Sequence, residues 1–211
     1  MNILIVNGSG SIGSSIVNAL RDIDAKIIYT TNQSNSKNID GCIHWKYKGE
    51  ESVSSLYEVI KQEFDYLDAV VNCLGSIFLK PAHLTGKEDF DATIDINLRS
   101  SFFILKETIP LMRKHGGNIL FFSSSAANIG MVNHEAISAA KGGLEGLVRS
   151  AAATYARNNI RVNALALGLV ESSLSSSIIS NPMSLEMSKK MHSLGRIGTP
   201  ESVVNIAKQL I

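Results

Sequence analysis

The chain has 211 residues, 45% of them hydrophobic and 18% charged, with a formal net charge of +1. That length and apolar content suit one α/β domain with a single core over residues 1–211. The near-neutral balance, without a block of like charges, excludes the electrostatic footprint of a nucleic-acid or anionic-membrane binder. No apolar run approaches the roughly 20 residues of a membrane span. Cys42 and Cys73 are the only cysteines. Each lies in an apolar, strand-like run where a free thiol behaves as a small hydrophobe, so a reduced, cytoplasmic setting is expected. Asn2 opens a strand at once, which leaves no room for a signal peptide.

Strand-like and helix-like segments then alternate. Short apolar runs predict strands at about 2–7, 26–31, 42–47, 67–72, 117–123 and 160–165, with helices between them. In the second helix Val53, Leu56, Tyr57, Ile60 and Phe64 fall on one stripe. Repeated β-α-β units imply a parallel sheet covered on both faces, with right-handed crossovers. Polar stretches at 31–40 and 171–177 read as surface loops.

The first strand runs into Gly8-Ser-Gly10-Ser-Ile-Gly13, which opens a helix. Gly8 permits a tight turn, Gly10 lets backbone approach a pyrophosphate, and Gly13 lets the helix pack close to the strand. An ordinary glycine-rich turn is the plain alternative. The second strand ends Tyr29-Thr-Thr-Asn-Gln-Ser34, without the acid that would bind the ribose 2′-OH of NAD. Thr30, Thr31 and Asn32 are candidates to bond a 2′-phosphate and Lys37 to neutralise it, which favours NADP. A plain polar loop is the alternative. The fourth strand ends Asn72-Cys-Leu-Gly75, a pair that a strand-terminal turn also favours. Asn97 falls in the helix that starts near Glu88. Asparagine is a poor helix former, so a buried role is expected there rather than a solvated one. Pro110 kinks or ends that helix.

The run Asn118–Phe122 leads into Ser123, Ser124 and Ser125, and then into a helix of small residues around Lys141. Gly142, Gly143 and Gly146 there need a packing reason. Asn133 reads as its N-cap, and Glu135 complements the macrodipole. Ile137 and Lys141 are one turn apart and share a face. Residues 173–195 carry Leu174, Ile178, Met183, Met187, Met191 and Leu194, which read as a substrate lid or as helices packed on the core. Pro200 opens the last helix.

This pattern resembles the short-chain dehydrogenase/reductase family. The family has a serine, a tyrosine thirteen residues on, and a lysine four after that. Ser124 and Lys141 hold the outer positions, and Ile137 stands in place of the tyrosine. Asn72 with Gly75, Asn97, Asn163 with Gly168, and Gly195–Val204 carry further matches in the family's order. The chain departs from the family elsewhere as well. Its glycine-rich loop is one residue shorter, Leu167 replaces a proline, and Lys46 or Lys48 stands near the family's adenine-contacting aspartate.

The resemblance implies a doubly wound Rossmann sheet, order 3-2-1-4-5-6, with ligand at the C-terminal strand ends. The family's seventh strand is missing, which leaves an edge open or marks the sequence as incomplete. Ser124 would orient a substrate carbonyl, Lys141 would bond the nicotinamide ribose, and Asn97 would help hold a water beside Lys141. Gly8, Gly10, Ser11, Ile12, Gly13, Thr31, Asn72, Gly75, Gly168 and Val170 would line NADP or NAD. Ser172 would add a hydroxyl contact. No metal is implied. The partners implied are a small carbonyl or alcohol substrate, hydrophobic by the lid's composition, and further copies of the chain. A homodimer or homotetramer would pair the helices at about 88–114 and 134–157.

Two functions follow. One is an NAD(P)-dependent oxidoreductase in which His134, Lys141 or a water held by Lys141 and Asn97 replaces the missing proton donor. Loss of a general acid removes roughly 10²–10⁴ in rate. For His134 the plain alternative is a solvated first-turn residue. The other function is a catalytically degenerate dinucleotide-binding protein acting as a sensor or structural subunit.

Overall fold

Strand β1 (Asn2–Val6) is apolar and almost wholly buried, as a central parallel strand must be. In the computed structural model, which describes residues 1–33 and 40–211, it sits mid-sheet. Around it lie β2 (Lys26–Thr31), β3 (Cys42–His44), β4 (Ala69–Asn72), β5 (Gly117–Ser124) and β6 (Ile160–Leu167). All pairs are parallel and the order is β3-β2-β1-β4-β5-β6, the expected doubly wound arrangement. Lys37 lies outside the described residues.

Helices α2 (Glu50–Glu63), α4 (Ser100–Met112) and α5 (Glu135–Tyr155) cover one face. The α2 stripe buries Val53, Leu56, Tyr57 and Ile60. The other face is covered by α1 (Ser11–Leu20) and α8 (Pro200–Leu210), through Ile16, Val17, Leu20, Val203, Val204 and Ala207. Thr199 and Ser202 form a capping box at the start of α8, with Pro200 in its first turn. No helix among the described residues is long and apolar enough to cross a membrane.

The structure corrects four sequence readings. Strand β3 stops at His44 rather than 47, because the chain turns toward α2: Trp45 Nε1 donates to the Ser52 carbonyl at 2.7 Å, and Lys48 N donates to Ser52 Oγ at 2.8 Å. The helix predicted from about 88 is three pieces: α3 (Lys87–Ile94), a π-type turn over Asp95–Arg99, and α4, which continues past Pro110 to Met112. Asn133 does not cap α5. It takes a left-handed conformation, φ +64°, its carbonyl accepts from Lys80 N, and His134 holds the cap position without a side-chain bond. Of the three glycines in α5, only Gly143 has a packing reason. A methyl there would lie 2.8 Å from Leu98 Cδ2, whereas Gly142 faces open space.

Tyr57 is fully buried, and its hydroxyl donates to Thr108 Oγ1 at 2.5 Å while Thr108 donates to the Ile104 carbonyl. Burial pushes the phenol above its ordinary value, so it stays neutral. Tyr57→Phe removes one neutral bond and leaves Thr108 paired. We expect a loss of about 1 kcal/mol in urea unfolding. A loss beyond about 3 kcal/mol would mean that the hydroxyl holds more of the α2–α4 packing than this pair.

Candidate active site

The site lies where the strands end. After β1 the chain turns at Asn7, φ +59°, and Gly10 N donates back to the Asn7 carbonyl at 3.2 Å. A methyl on Gly13 would lie 2.5 Å from the Asn7 carbonyl oxygen and 2.8 Å from Gly8 Cα, so helix α1 approaches the strand end more closely than any side chain allows. No side chain caps the first turn of α1, whose leading amides at Ser11, Ile12 and Gly13 carry the positive end of the helix dipole. Ser11 Oγ accepts from Ser173 N at 3.1 Å, which ties this loop to the segment after β6.

The second group gathers at the ends of β4 and β5. Asn97 lies in the π-type turn and is fully buried. Its Nδ2 donates to Ser76 Oγ (2.9 Å) and to the Thr93 carbonyl (3.0 Å), and its Oδ1 accepts from Ser76 N (3.2 Å). Asn72 Nδ2 donates to Ser101 Oγ at 3.1 Å, and its Oδ1 accepts from Leu74 N, which shapes the turn up to Gly75. Gly75 lies between Asn97 and Lys141: a methyl there would be 3.3 Å from Asn97 Oδ1 and 3.7 Å from Lys141 Nζ.

Lys141 is 7% exposed. Its Nζ donates to the Phe122 carbonyl at 2.8 Å, its one hydrogen-bond partner among the described residues. An ammonium has three donors, so two are left for a ligand or solvent. Burial lowers its pKa from the ordinary lysine value to about 8. Ser124 Oγ accepts from Ala126 N at 3.2 Å and donates to nothing among the described residues, so its proton is free for an oxygen. Ser138 Oγ donates to the Ala126 carbonyl at 2.7 Å and ties α5 to the same loop. Ile137 is 5% exposed, an apolar filling on the Lys141 face of α5. His134, by contrast, is turned to its own loop, with Nδ1 on the Val132 carbonyl at 2.7 Å.

A cavity of about 130 Å³ opens beside the first loop, lined by Asn7, Thr30, Asn32, Trp45, Lys46 and Leu74 among others, with no carboxylate among its described lining residues. Thr30 and Thr31 are buried with their hydroxyls engaged: Thr30 Oγ1 accepts from Asn7 N and Thr31 Oγ1 from Gln33 N. Each hydroxyl is thereby held in place as an acceptor while its own proton has no partner among the described residues, and Thr30 lines the cavity. Tyr47 also lines it. Burial, with the Asp95 carboxylate that its hydroxyl faces at 3.2 Å, pushes that phenol up to about 12. A larger hollow of about 690 Å³ lies along β2 and β3, against Arg21, Lys26 and Glu63. It contains none of the strand-end residues above.

Past β6, Gly168 and Val170 border helices α6 (Ser176–Ile179) and α7 (Pro182–Met191). The Val170 carbonyl accepts from Ser175 Oγ at 2.6 Å, and Ser172 Oγ and Ser175 Oγ are 3.0 Å apart. No residue of α7 is buried, so its methionines are not core packing. Sequence reasoning missed Ser76, Lys46 as a cavity wall, and His192. Ser76, next to Gly75, and Lys46, near the family's adenine-contacting aspartate, carried positional hints; His192 carried none.

A model for the family described as enoyl-(acyl carrier protein) reductase matches residues 6–211. The chain belongs to the short-chain dehydrogenase/reductase family. A tropinone reductase homolog of Arabidopsis thaliana is 30% identical over 97% of this chain and 81% of its own length. A chloroplastic one is 28% identical over 96% and 67%. Among solved structures, the ligand-free aldohexose dehydrogenase of Thermoplasma acidophilum superposes with a TM-score of 0.88 at 23% identity, covering 99% of this chain and 86% of that one. A short chain dehydrogenase family protein of Francisella tularensis gives 0.89 at 21%, covering 99% and 90%. These structures share the fold.

Keeping a charge on Lys141 at neutral pH opposes folding by roughly 3 kcal/mol, from the fall of its pKa to about 8. The penalty is fully present below pH 8 and fades as pH rises toward the unfolded value. Lys141→Met removes it and one hydrogen bond. Thermal unfolding at pH 7 should show Tm raised by about 2–4 °C, an advantage that shrinks toward pH 10. A lowered Tm at pH 7 would mean that the ammonium is held by more than Phe122.

Proposed function

We propose that this protein is an NADP-dependent oxidoreductase that interconverts a small apolar carbonyl compound and its alcohol. The observation that carries the reading is Lys141: a buried ammonium with one partner, beside Asn97 and Gly75 at the strand ends. A cation so placed stabilises something polar or negative that arrives there. The residues fit a dinucleotide. Gly8 and Gly13 let the β1–α1 turn close tightly, which brings the uncapped first turn of α1 to the strand end, and Lys46 and Asn32 stand in the adjoining wall with no carboxylate among its described lining residues. A cation there suits a 2′-phosphate and not the bare diol of NAD.

When bound, the nicotinamide supplies the hydride. Every other part falls to this chain. Ser124 donates a hydrogen bond from its hydroxyl to the substrate oxygen and fixes the carbonyl. Lys141 bonds ribose and, with a pKa lowered to about 8, holds a transferable proton at Nζ near neutral pH. Asn97 keeps Ser76 and Gly75 in place around it. Because His134 is occupied with Val132, Lys141 is the preferred acid. The exposed Phe90 and Phe102 on α3 and α4 support self-association, and the apolar residues of 173–195 support a hydrophobic substrate.

Trp45 is the single tryptophan and lines the small cavity, so its fluorescence reports binding. NADPH should quench it saturably. Lys46→Ala should weaken NADPH about tenfold and NADH by less than about twofold, as expected for loss of one phosphate contact. Equal effects on both would favour NAD, and no quenching by either nucleotide at near-millimolar levels would overturn the reading.

Carbonyl reduction needs protonated Lys141, which dominates below about pH 8. Single-turnover reduction at saturating NADPH should be flat at low pH and fall about tenfold per unit above it. A profile flat across pH 8 would remove Lys141 as the acid. Ile137 favours a second reading, a nucleotide-binding protein without turnover. Binding without reduction of any carbonyl, together with turnover appearing in Ile137→Tyr, would establish it.

A further inference from the structure

Helix α7 is held in an unusual way. It buries no residue, and Met183, Met187 and Met191, four apart on one stripe, are 75%, 61% and 53% exposed. The side turned toward the protein carries Ser184, Leu185, Ser188 and, just past the helix, His192. Apolar burial therefore does little to fix this helix. His192 stands out instead. Its Nδ1 lies 2.7 Å from the Ser188 carbonyl, and its Nε2 lies 3.1 Å from Leu169 N. A carbonyl only accepts and an amide only donates, so Nδ1 must carry the proton and Nε2 must be bare. The ring also presses against Gly168, where a methyl would collide with Nε2.

We propose that His192 is a positioning residue that pins the α6–α7 segment to the Gly168–Val170 turn. The pin sets both the posture of the apolar lid and the course of the turn. The functional half of this inference rests on the oxidoreductase reading, since only that reading makes 168–170 part of a cofactor site. The structural half stands without it. The pin needs a neutral imidazole in one tautomer, and it needs glycine at 168, because any side chain there displaces the ring.

The first test uses the unliganded parent protein, so it is independent of nucleotide binding. Long-range ¹H–¹⁵N spectra at pH 8 should show His192 with a protonated Nδ1 and an unprotonated Nε2, the reverse of the tautomer that dominates for free imidazole side chains. The Nε2–H tautomer, or fast averaging of the two, would overturn the pin. The second test is trypsin cleavage at Lys189 and Lys190. His192→Phe keeps a ring without nitrogens and should raise the cleavage rate about tenfold, the loss expected for one or two hydrogen bonds. His192→Gln can still accept from Leu169 N and should stay within about threefold of the parent. Equal cleavage of the parent and His192→Phe would overturn the proposal.

If NADPH binds, His192→Phe should raise the KM for the carbonyl at least fivefold and weaken NADPH as well, by a smaller factor, and His192→Gln should restore most of both. A protein that fails to bind NADPH but shows the tautomer and the cleavage pattern would overturn the cofactor reading and leave the pin standing. A protein that binds NADPH but shows neither would do the reverse.

Discussion

The structure at the strand ends is organised by one costly interaction, a lysine ammonium buried against a backbone carbonyl. Lys141 Nζ and the Phe122 carbonyl are 2.8 Å apart in a setting that pulls the lysine pKa down to about 8. A single neutral acceptor repays only part of the desolvation of a full charge. The rest comes from the sheet and the two helices that bring the groups together. Strand β5 pairs with β6 as far as Ser124 and Leu167, which carries Phe122 and Ser124 to the rim. Helix α5 lies against that strand end, with Ser138 bonded to the Ala126 carbonyl and Ser123 to Glu145 Oε1, and this fixes the depth at which Lys141 enters.

The wall opposite Lys141 is polar for a related reason. The turn over Asp95–Arg99 is wider than an α-helix, and it carries Asn97 inward, where all of its amide hydrogens and its carbonyl find partners. A π-type turn inside a helix is often found where function requires a displaced side chain. Gly75 then separates Asn97 from Lys141, with no side chain to fill the gap. What is absent is also physical. Ile137, one turn before Lys141 on α5, fills that face with buried methyl groups and offers no hydroxyl there. The proposed acid is consequently the lysine itself, whose burial has already moved it toward neutral pH.

Much of this was legible in the sequence. The glycine-rich turn was readable because Gly13 answers a steric need that no other residue meets, and the α2 stripe because a buried helix face repeats with the helical period. Asn97 was readable as a residue out of place in a helix and as a match in the family's order. The π-type turn around it was not, since widening one turn leaves the surrounding apolar pattern intact. The end of β3 was misread because Trp45 and Tyr47 continue an aromatic alternation that looks like strand, while the deciding bonds run to Ser52. Asn133 was misread because asparagine suits both a helix cap and a left-handed turn. His192 had no signal, because its partners are a backbone carbonyl four residues back and a backbone amide 23 residues away.

The most direct test of the account is the titration of Lys141 itself. With lysine side chains labelled at Cε and Nζ, and with Lys141→Met to assign its signal, NMR would follow the ε-ammonium of the unliganded protein from pH 6 to pH 11. The account predicts a midpoint near 8, well below that of the exposed lysines. A midpoint at the ordinary lysine value of 10.5 would show that the ammonium is solvated in solution, and the buried acid at the centre of this site would not exist.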